Sequence, residues 1–261
     1  TAGACGPCRF GMYTTEYRKA LRDAGFDGFR VMLFQQQGGL SQATGEESGL
    51  DMNPKFFTNM VKGLIAGDII NGLGYRIRPY EVVAGSTDEA IEQSKRICYD
   101  ALLNGQSILF ALMKCKRLFS AIEVDRTQPK PKVAIIGEFW AMTTEGDGNY
   151  RLQRFIEHEG AEADIQFVTA WLLYNIWEVA YDTGERKNLR YDDVAKNGLA
   201  GIGQYGAFTR KISLWAGDKA LRGAFHTFAY AGGYYDYHLP DMGEIAEIAA
   251  PYYDNNLRGG E

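Results

Sequence analysis

The chain has 261 residues, of which 46% are hydrophobic and 23% charged, and this length suits two domains of roughly 120 to 130 residues each. The net charge of −5, with Lys and Arg scattered among acidic residues, argues against a dedicated nucleic-acid surface, because phosphate binding needs a clustered basic face. The sequence contains no run of about 18 apolar residues and no signal-peptide pattern. It therefore predicts that no segment spans a membrane and that the protein is cytoplasmic.

The first half of the chain is predicted to alternate between helix and strand. Apolar residues recur every three or four positions over 12–24, which is typical of a helix, and Gly25 ends it. The apolar run 29–34 is typical of a buried strand. Asn53 before Pro54 is typical of a helix start. Further segments are predicted as a helix at 54–71, an extended stretch at 76–80, and a helix at 87–122 that starts with a Ser86–Glu89 capping box and has a break near 104–105.

A polar segment with two prolines and two lysines, 127–132, is predicted to be a linker and marks the domain boundary. It is followed by the clearest strand, 132–137, a buried run of the kind found in parallel sheets. The remaining elements are predicted as a helix at 150–159, a strand at 165–168, and helices at 171–179, 199–215 and 242–253.

This alternation of helices and strands predicts an α/β protein. We expect an N-terminal domain at 1–126 that is incomplete at its start, and a helix-rich C-terminal domain at 133–261. A cysteine motif begins only four residues into the chain, so we expect the chain to be part of a longer polypeptide.

The cysteine motif is the strongest sign of function. Cys5 and Cys8 are separated by Gly6 and Pro7, so one tight turn can direct two thiols at a single metal centre, and thiolates are the ligands that iron–sulfur clusters and zinc require. Arg9 would stabilise thiolates or offset cluster charge, and the amide of Gly6 could donate to cluster sulfides. A complete site takes three or four ligands, and this turn offers two.

Two other interpretations of the motif stay open. A thiol–disulfide redox pair should follow a strand and open a helix within a β–α–β unit, and the sequence shows no strand before Cys5. Alternatively, one thiol is simply buried.

The other two cysteines, Cys98 and Cys115, lie 17 residues apart on the predicted long helix. An unbroken helix would separate them by about 25 Å, so they could share a site only if the chain kinks at Gly105. Both are predicted to be ordinary buried helix residues. Cys115, flanked by basic residues, is the weaker metal-ligand candidate.

Few other residues suggest chemistry. The three histidines are far apart in sequence and form no pair typical of a zinc enzyme. Glu138 follows the strand 132–137, where open α/β sheets bind ligands. The single histidines are His158, His226 and His238.

Several stretches together resemble a known family. The chain is similar to the cluster-binding region associated with acyl-CoA dehydratase activases, which is related to the subunits of 2-hydroxyacyl-CoA dehydratase and benzoyl-CoA reductase. The likeness spans nearly the whole chain, and its most specific part is the Gly-Pro-Cys-Arg-Phe-Gly motif. The stretches are Ala4-Cys-Gly-Pro-Cys-Arg-Phe-Gly-Met-Tyr13, Gly63-Leu-Ile-Ala-Gly-Asp68, Arg78-Pro-Tyr-Glu81, Lys132-Val-Ala-Ile-Ile-Gly-Glu138, Pro251-Tyr-Tyr253 and Arg258-Gly-Gly-Glu261.

The resemblance implies two Rossmann-like (flavodoxin-like) three-layer domains with extra helices. An iron–sulfur cluster of 4Fe-4S or double-cubane type would lie in the cleft between them, bound by Cys8 and Cys5. The related enzymes use three cysteines per cluster, so another ligand is expected before Thr1. An ATP-hydrolysing activator would supply low-potential electrons for a substrate such as an acyl-CoA thioester, and a homo- or heterodimer is expected.

The sequence therefore predicts an iron–sulfur protein in ATP-driven electron transfer, with its own catalytic role left open. Two alternatives stay open as well: a zinc-stabilised binding module without catalysis, and a Cys-x-x-Cys thiol–disulfide protein.

Overall fold

A computed structural model gives the structure of the protein. It describes residues 2–4, 13–26, 28–29, 31, 33–35, 53–137, 146–189, 204–237 and 239–252. The chain is mostly helical, and the described residues form eight α-helices and two pairs of parallel strands. They divide into two compact units, 1–58 with 256–261, and 59–255.

The first unit contains a β–α–β segment. Strand β1 (Ala2–Ala4) and strand β2 (Leu33–Gln35) pair in parallel, with helix α1 (Tyr13–Asp23) between them in the chain. The predicted helix at 12–24 is confirmed, and the strand predicted at 29–34 is observed later, at β2. The sequence does not predict β1, because Ala and Gly are depleted in strands.

The second unit is built mainly from helices. Gly105 has a φ of 65°, in the left-handed region, and lies in the short connection between the third and fourth helices, so the predicted break near 104–105 is confirmed. The helices are α2 (Pro54–Ile77), whose first residues belong to the first unit, α3 (Ser86–Leu103), α4 (Ile108–Ser120), α5 (Leu152–His158), α6 (Val168–Leu189), α7 (Gln204–Gly232) and α8 (Met242–Ala249).

One hydrophobic core joins all of these helices except α5, whose Ile156 belongs to a second, smaller cluster with Ile135 and Ala163. The fully buried side chains of the main core come from α2, α4, α6 and α7, and residues of α3 and α8 pack into the same cluster. The largest of them are Ile65, Ile69, Ile70, Leu112, Leu173 and Phe225.

Helix α2 is longer than its glycines suggest. The predicted end at 71 is wrong, because Gly72 and Gly74 lie inside the helix at places where neighbouring side chains come too close for a Cβ. The extended stretch predicted at 76–80 is also wrong: α2 runs to Ile77, and Arg78–Tyr80 form a 3₁₀ turn with its proline near the start.

A second β–α–β segment follows in the second unit. Strands β3 (Lys132–Ile135) and β4 (Glu162–Ile165) pair in parallel, with α5 between them in the chain. The strand predicted at 132–137 is confirmed in position, but its predicted burial is wrong, because only Ile135 is buried within β3 and Ile136 is 82% exposed. The strand predicted at 165–168 is displaced, since Val168 already begins α6.

The segment 127–132, predicted as the boundary between domains 1–126 and 133–261, connects α4 to β3 inside the second unit. Side chains on both sides of it belong to one core. The structure thus shows helices combined with parallel strand pairs, and each sheet has two strands among the described residues.

No helix in the described ranges has the length and apolar character needed to cross a bilayer.

Candidate functional site

The predicted ligands Cys5 and Cys8, with Gly6 and Arg9, lie outside the described residues. Their place in the chain is nevertheless informative, because they fall between β1 and α1, which belong to a parallel β–α–β segment. In open α/β sheets, ligands bind beyond the carboxyl ends of the strands. In chain order, the motif comes directly after a strand of this kind.

This context bears on the alternatives for the motif. A thiol–disulfide pair requires a preceding strand and a following helix, and β1 and α1 provide both in chain order. A cluster-binding turn is compatible with the same position. The β–α–β context thus supports a functional motif and does not distinguish the two chemistries.

Cys98 and Cys115 are neighbours: the chain breaks near Gly105, which is the condition under which the sequence allows them to share a site, and the prediction that both are buried helix residues is confirmed. Their Sγ atoms are 3.9 Å apart, because the break at 104–107 lets α4 pack against α3. Both side chains belong to the core, with Cys98 6% and Cys115 0% exposed. The Cys115 Sγ also lies 3.8 Å from the Ser94 carbonyl oxygen.

The two thiols influence each other's ionisation. Their shared hydrogen bond lowers the pKa of Cys115 to about 7, against the effect of burial, and raises the pKa of Cys98, to which burial adds. The pair therefore releases a first proton much more readily than a second.

The surroundings of Cys115 do not fit a metal cluster. Nowhere in the described part of the chain do three or more His, Cys, Asp or Glu side chains form a group that could hold a metal ion. The neighbouring Lys116 extends its Nζ to the Tyr235 hydroxyl, at 2.7 Å.

The 78–81 stretch of the family resemblance has an architectural role. The guanidinium of Arg78 donates to both carboxylate oxygens of Glu157, at 2.6 and 2.8 Å, and to Asp88 at 3.2 Å, where Arg154 also donates, at 2.6 Å. Arginine–carboxylate pairs with two parallel hydrogen bonds, such as Arg78 with Glu157, are among the stronger ion pairs in proteins. The bonds of Arg78 connect the 3₁₀ turn with α3 and α5.

A second group of ion pairs attaches β4 to the end of α2. Arg76 donates to Glu162 at 2.8 Å and to Asp164 at 3.3 Å, and the Tyr80 hydroxyl donates to Glu162 at 2.7 Å. Burial would raise the pKa of Glu162, but the bonds from Tyr80 and Arg76 outweigh it and hold that pKa below its usual range. Glu162 is thus held as an anion and is poorly suited to act as a general acid. We call these two groups together the arginine network. Its members are Arg76, Arg78, Tyr80, Asp88, Arg154, Glu157, Glu162 and Asp164.

Glu81 caps the helix that follows it. Its carboxylate accepts from the amides of Gly85 and Thr87, both at 2.7 Å, and from the Ser86 hydroxyl at 3.1 Å. The predicted Ser86–Glu89 capping box is wrong, because Ser86 is already the first residue of α3 and Gly85, at the N-cap, has no side chain. A carboxylate from the preceding turn performs the capping instead.

Asp68, in the 63–68 stretch of the resemblance, caps α6 from a different helix. It is 6% exposed and accepts from the Val168 amide at 3.1 Å, the Thr169 amide at 2.8 Å and the Thr169 hydroxyl at 2.6 Å. Burial raises its pKa from 3.8 to about 6, although the bonds from Thr169 and Val168 act in the opposite direction. The sequence analysis does not predict this cap. The signal for it is the position of Asp68, an acidic residue within the otherwise apolar segment 64–70, because an acidic side chain is seldom buried without partners.

Of the remaining predicted residues, the two that the structure describes, His158 and His226, are not brought together in a site. The His158 side chain is 88% exposed and lies 3.9 Å from Glu159. His226, on α7, has its ring 6.2 Å from that of Phe225. His238 and Glu138 lie outside the described residues.

Comparison of the chain with protein-family models, with curated proteins and with solved structures finds no match. The functional argument therefore rests on the residues of this chain.

Proposed function

We propose that the chain is an iron–sulfur cluster-binding protein of the 2-hydroxyacyl-CoA dehydratase and benzoyl-CoA reductase type, with Cys8 and Cys5 as cluster ligands. The observation that carries this proposal is the pair of thiols separated by Gly6 and Pro7, between the strand and the helix of a parallel β–α–β segment. A thiolate turn beyond the end of a strand suits a redox centre.

The residues of the turn would have distinct tasks. Cys5 and Cys8 would bind as thiolates, and the positive charge of Arg9 would favour that form. The amide of Gly6 would donate to a cluster sulfide, which tunes its potential. When bound, the cluster supplies one-electron reduction of a substrate such as an acyl-CoA thioester. An ATP-hydrolysing activator would deliver the electrons, and a ligand beyond these two thiols would complete the coordination.

The proposal extends to the architecture. Two Rossmann-like three-layer domains, with the cluster in the cleft between them and with the protein paired as a dimer, are the arrangement that the family resemblance implies. The two observed β–α–β segments, over 2–35 and over 132–165, support such domains because they are the repeating unit of this fold. The cytoplasm is the location that we propose from the sequence.

One alternative gains support from a specific observation. Strand β1 before the motif and helix α1 after it are the context of a thiol–disulfide pair. Cys5 and Cys8 would then exchange reversibly between dithiol and disulfide and would bind no metal. A zinc-stabilised module without catalysis is a third candidate, because the same thiolates bind zinc.

Metal and sulfide analysis of protein purified without oxygen separates the three functions. The iron–sulfur proposal predicts a brown protein with broad absorbance at about 400 nm, with iron and acid-labile sulfide in similar amounts. Cys8→Ser should lower both to a small fraction of the wild-type content. Bound zinc without sulfide would overturn the proposal in favour of the structural module, and a reversible Cys5–Cys8 disulfide without metal would favour the redox protein.

A further inference from the structure

The described part of the chain holds a second pair of thiols, remote in sequence from Cys5 and Cys8. The Sγ atoms of Cys98, on α3, and Cys115, on α4, are 3.9 Å apart in the core of the second unit. A disulfide bond needs about 2.05 Å, so the sulfurs have to approach by roughly 1.9 Å. The two helices are joined by a short connection that contains Gly105, and a small shift between them can supply this movement.

We propose that Cys98 and Cys115 form an oxidisable dithiol that hydrogen peroxide converts into a disulfide joining α3 to α4. The proposal is independent of the iron–sulfur function, because it concerns residues that belong to no cluster site. Three observations carry it: the facing sulfur atoms, their position on adjacent helices, and the absence of a third metal ligand beside them in the described residues.

The reaction takes place in two displacements. The Cys115 thiolate attacks one peroxide oxygen, so that an S–O bond forms, the O–O bond breaks and hydroxide leaves, giving a sulfenic acid. The Cys98 sulfur then attacks the Cys115 sulfur, so that the S–S bond forms and the S–O bond breaks. Two thiols and one peroxide give one disulfide and two waters, and two electrons pass from sulfur to peroxide oxygen.

The order of attack follows from the hydrogen bond. Cys115 is the thiol whose ionisation the neighbouring Cys98 favours, so it is the nucleophile towards peroxide. Cys98 remains protonated beside it and acts as the resolving thiol. Because both side chains are buried, a local opening has to admit the oxidant, and a peroxide molecule is close to water in size. The reaction should therefore be slower than that of an exposed cysteine.

The disulfide would restrain the second unit. It closes a loop of 17 residues, which restricts the unfolded chain. For a loop of this length in a unit of this size, the expected increase in the thermal unfolding midpoint is roughly 6 to 12 °C. Reduction by dithiothreitol should reverse the increase.

Peptide mapping of the full chain tests the proposal directly. Trypsin cleaves after Arg96, Lys114 and Lys116, so the disulfide should appear as the peptide 97–114 joined to the dipeptide 115–116, lighter than the two free peptides by two hydrogen atoms. The tryptic peptide that ends at Arg9 contains both Cys5 and Cys8 and reports any disulfide of that pair separately. We expect the joined peptide to be the main oxidised form of Cys98 and Cys115 after treatment with hydrogen peroxide, and to disappear on reduction.

Cys98→Ser is the matched control, since it removes the resolving thiol and leaves Cys115. It should give sulfenic or sulfinic acid at Cys115, no joined peptide and no rise in the unfolding midpoint. The proposal is overturned if both cysteines of the wild-type protein remain free after prolonged treatment and are alkylated on denaturation. Conversion of wild-type Cys115 to sulfinic acid without the joined peptide overturns it equally.

Discussion

Gly72 in α2 lies directly against two aromatic rings. A Cβ at this position would come within 2.5 Å of the Phe167 Cζ and 3.1 Å of the Tyr234 Cζ. Phe167 also packs against Tyr237, with ring centroids 4.4 Å apart, so it has little room to move. We predict that Gly72→Ala lowers the free energy of unfolding by about 2 kcal/mol, measured by urea denaturation.

Gly67 provides the matched control on the same helix. No atom beyond the adjoining residues and the backbone of the helix itself lies within 4 Å of a Cβ built there. Gly67→Ala should therefore leave stability unchanged or raise it by up to about 1 kcal/mol through helix propensity. Equal effects of the two substitutions would show that the contact between α2 and the aromatic rings is not as close as described.

Asp68 should make stability depend on pH in an unusual direction. Burial raises its pKa from 3.8 to about 6, so the folded protein binds this proton more tightly than the unfolded chain. The stabilisation is complete below about pH 4 and is lost as the pH rises through about 6. We predict that the free energy of unfolding of the wild type, relative to Asp68→Asn, falls by about 2 kcal/mol between pH 4 and pH 7.

Urea denaturation of both proteins across this pH range measures the effect. The difference between them removes the contributions of the other carboxylates, several of which have lowered pKa values and act in the opposite direction. A difference that stays constant with pH would contradict the assignment of the raised pKa to Asp68.

At the scale of secondary-structure elements, Arg78 connects three of them. Its side chain is 5% exposed, and it donates to Glu157 on α5 and to Asp88 on α3. Removing one partner of a buried pair leaves an uncompensated charge. We therefore predict that Arg78→Ala lowers the free energy of unfolding by about 3 to 4 kcal/mol, measured by urea denaturation.

Lys95 is the control for that substitution. It pairs with Glu92 on the exposed surface of α3, with 55% and 61% of the two side chains accessible. Lys95→Ala should change stability by less than about 0.5 kcal/mol. If Arg78→Ala had an equally small effect, the arginine network could not be what attaches α5 to the turn after α2.

The elements that the sequence predicts correctly are those specified by local signals. Asn53 caps α2 through its side chain, which accepts from the Phe56 amide at 2.9 Å, and Gly105 marks the break between α3 and α4. The failures have tertiary causes. Gly72 ends no helix because it is the point of closest approach to Phe167, and the start of α6 is fixed by Asp68, a hundred residues earlier.

At the scale of the whole molecule, the sequence predicts the α/β character but not the division into units. Linkers between domains and surface connections within one unit are both polar and often contain proline, so the composition of 127–132 does not distinguish these two roles. Only contacts that join distant segments decide between them, and Arg76 with Glu162 is one of these contacts. Similarly, the pairing of Cys98 with Cys115 depends on the packing of α3 and α4, which the spacing of 17 residues does not reveal.

The family resemblance contains two kinds of residue, which the structure helps to separate. Asp68, Arg78, Tyr80 and Glu81 are engaged in caps and ion pairs that hold the second unit together. Cys5 and Cys8, which lie outside the described residues, are the residues of the resemblance on which the proposed cluster binding rests. The proposed function therefore depends on this one turn.

Iron and acid-labile sulfide per chain, measured without oxygen in two matched double variants, test the central claim most directly. We predict that Cys5→Ser/Cys8→Ser loses both elements together, whereas Cys98→Ser/Cys115→Ser keeps the wild-type content. Retention of iron and sulfide by the first double variant would contradict the assignment of the cluster to the Cys5–Cys8 turn, and their absence from the wild-type protein would contradict the iron–sulfur function itself.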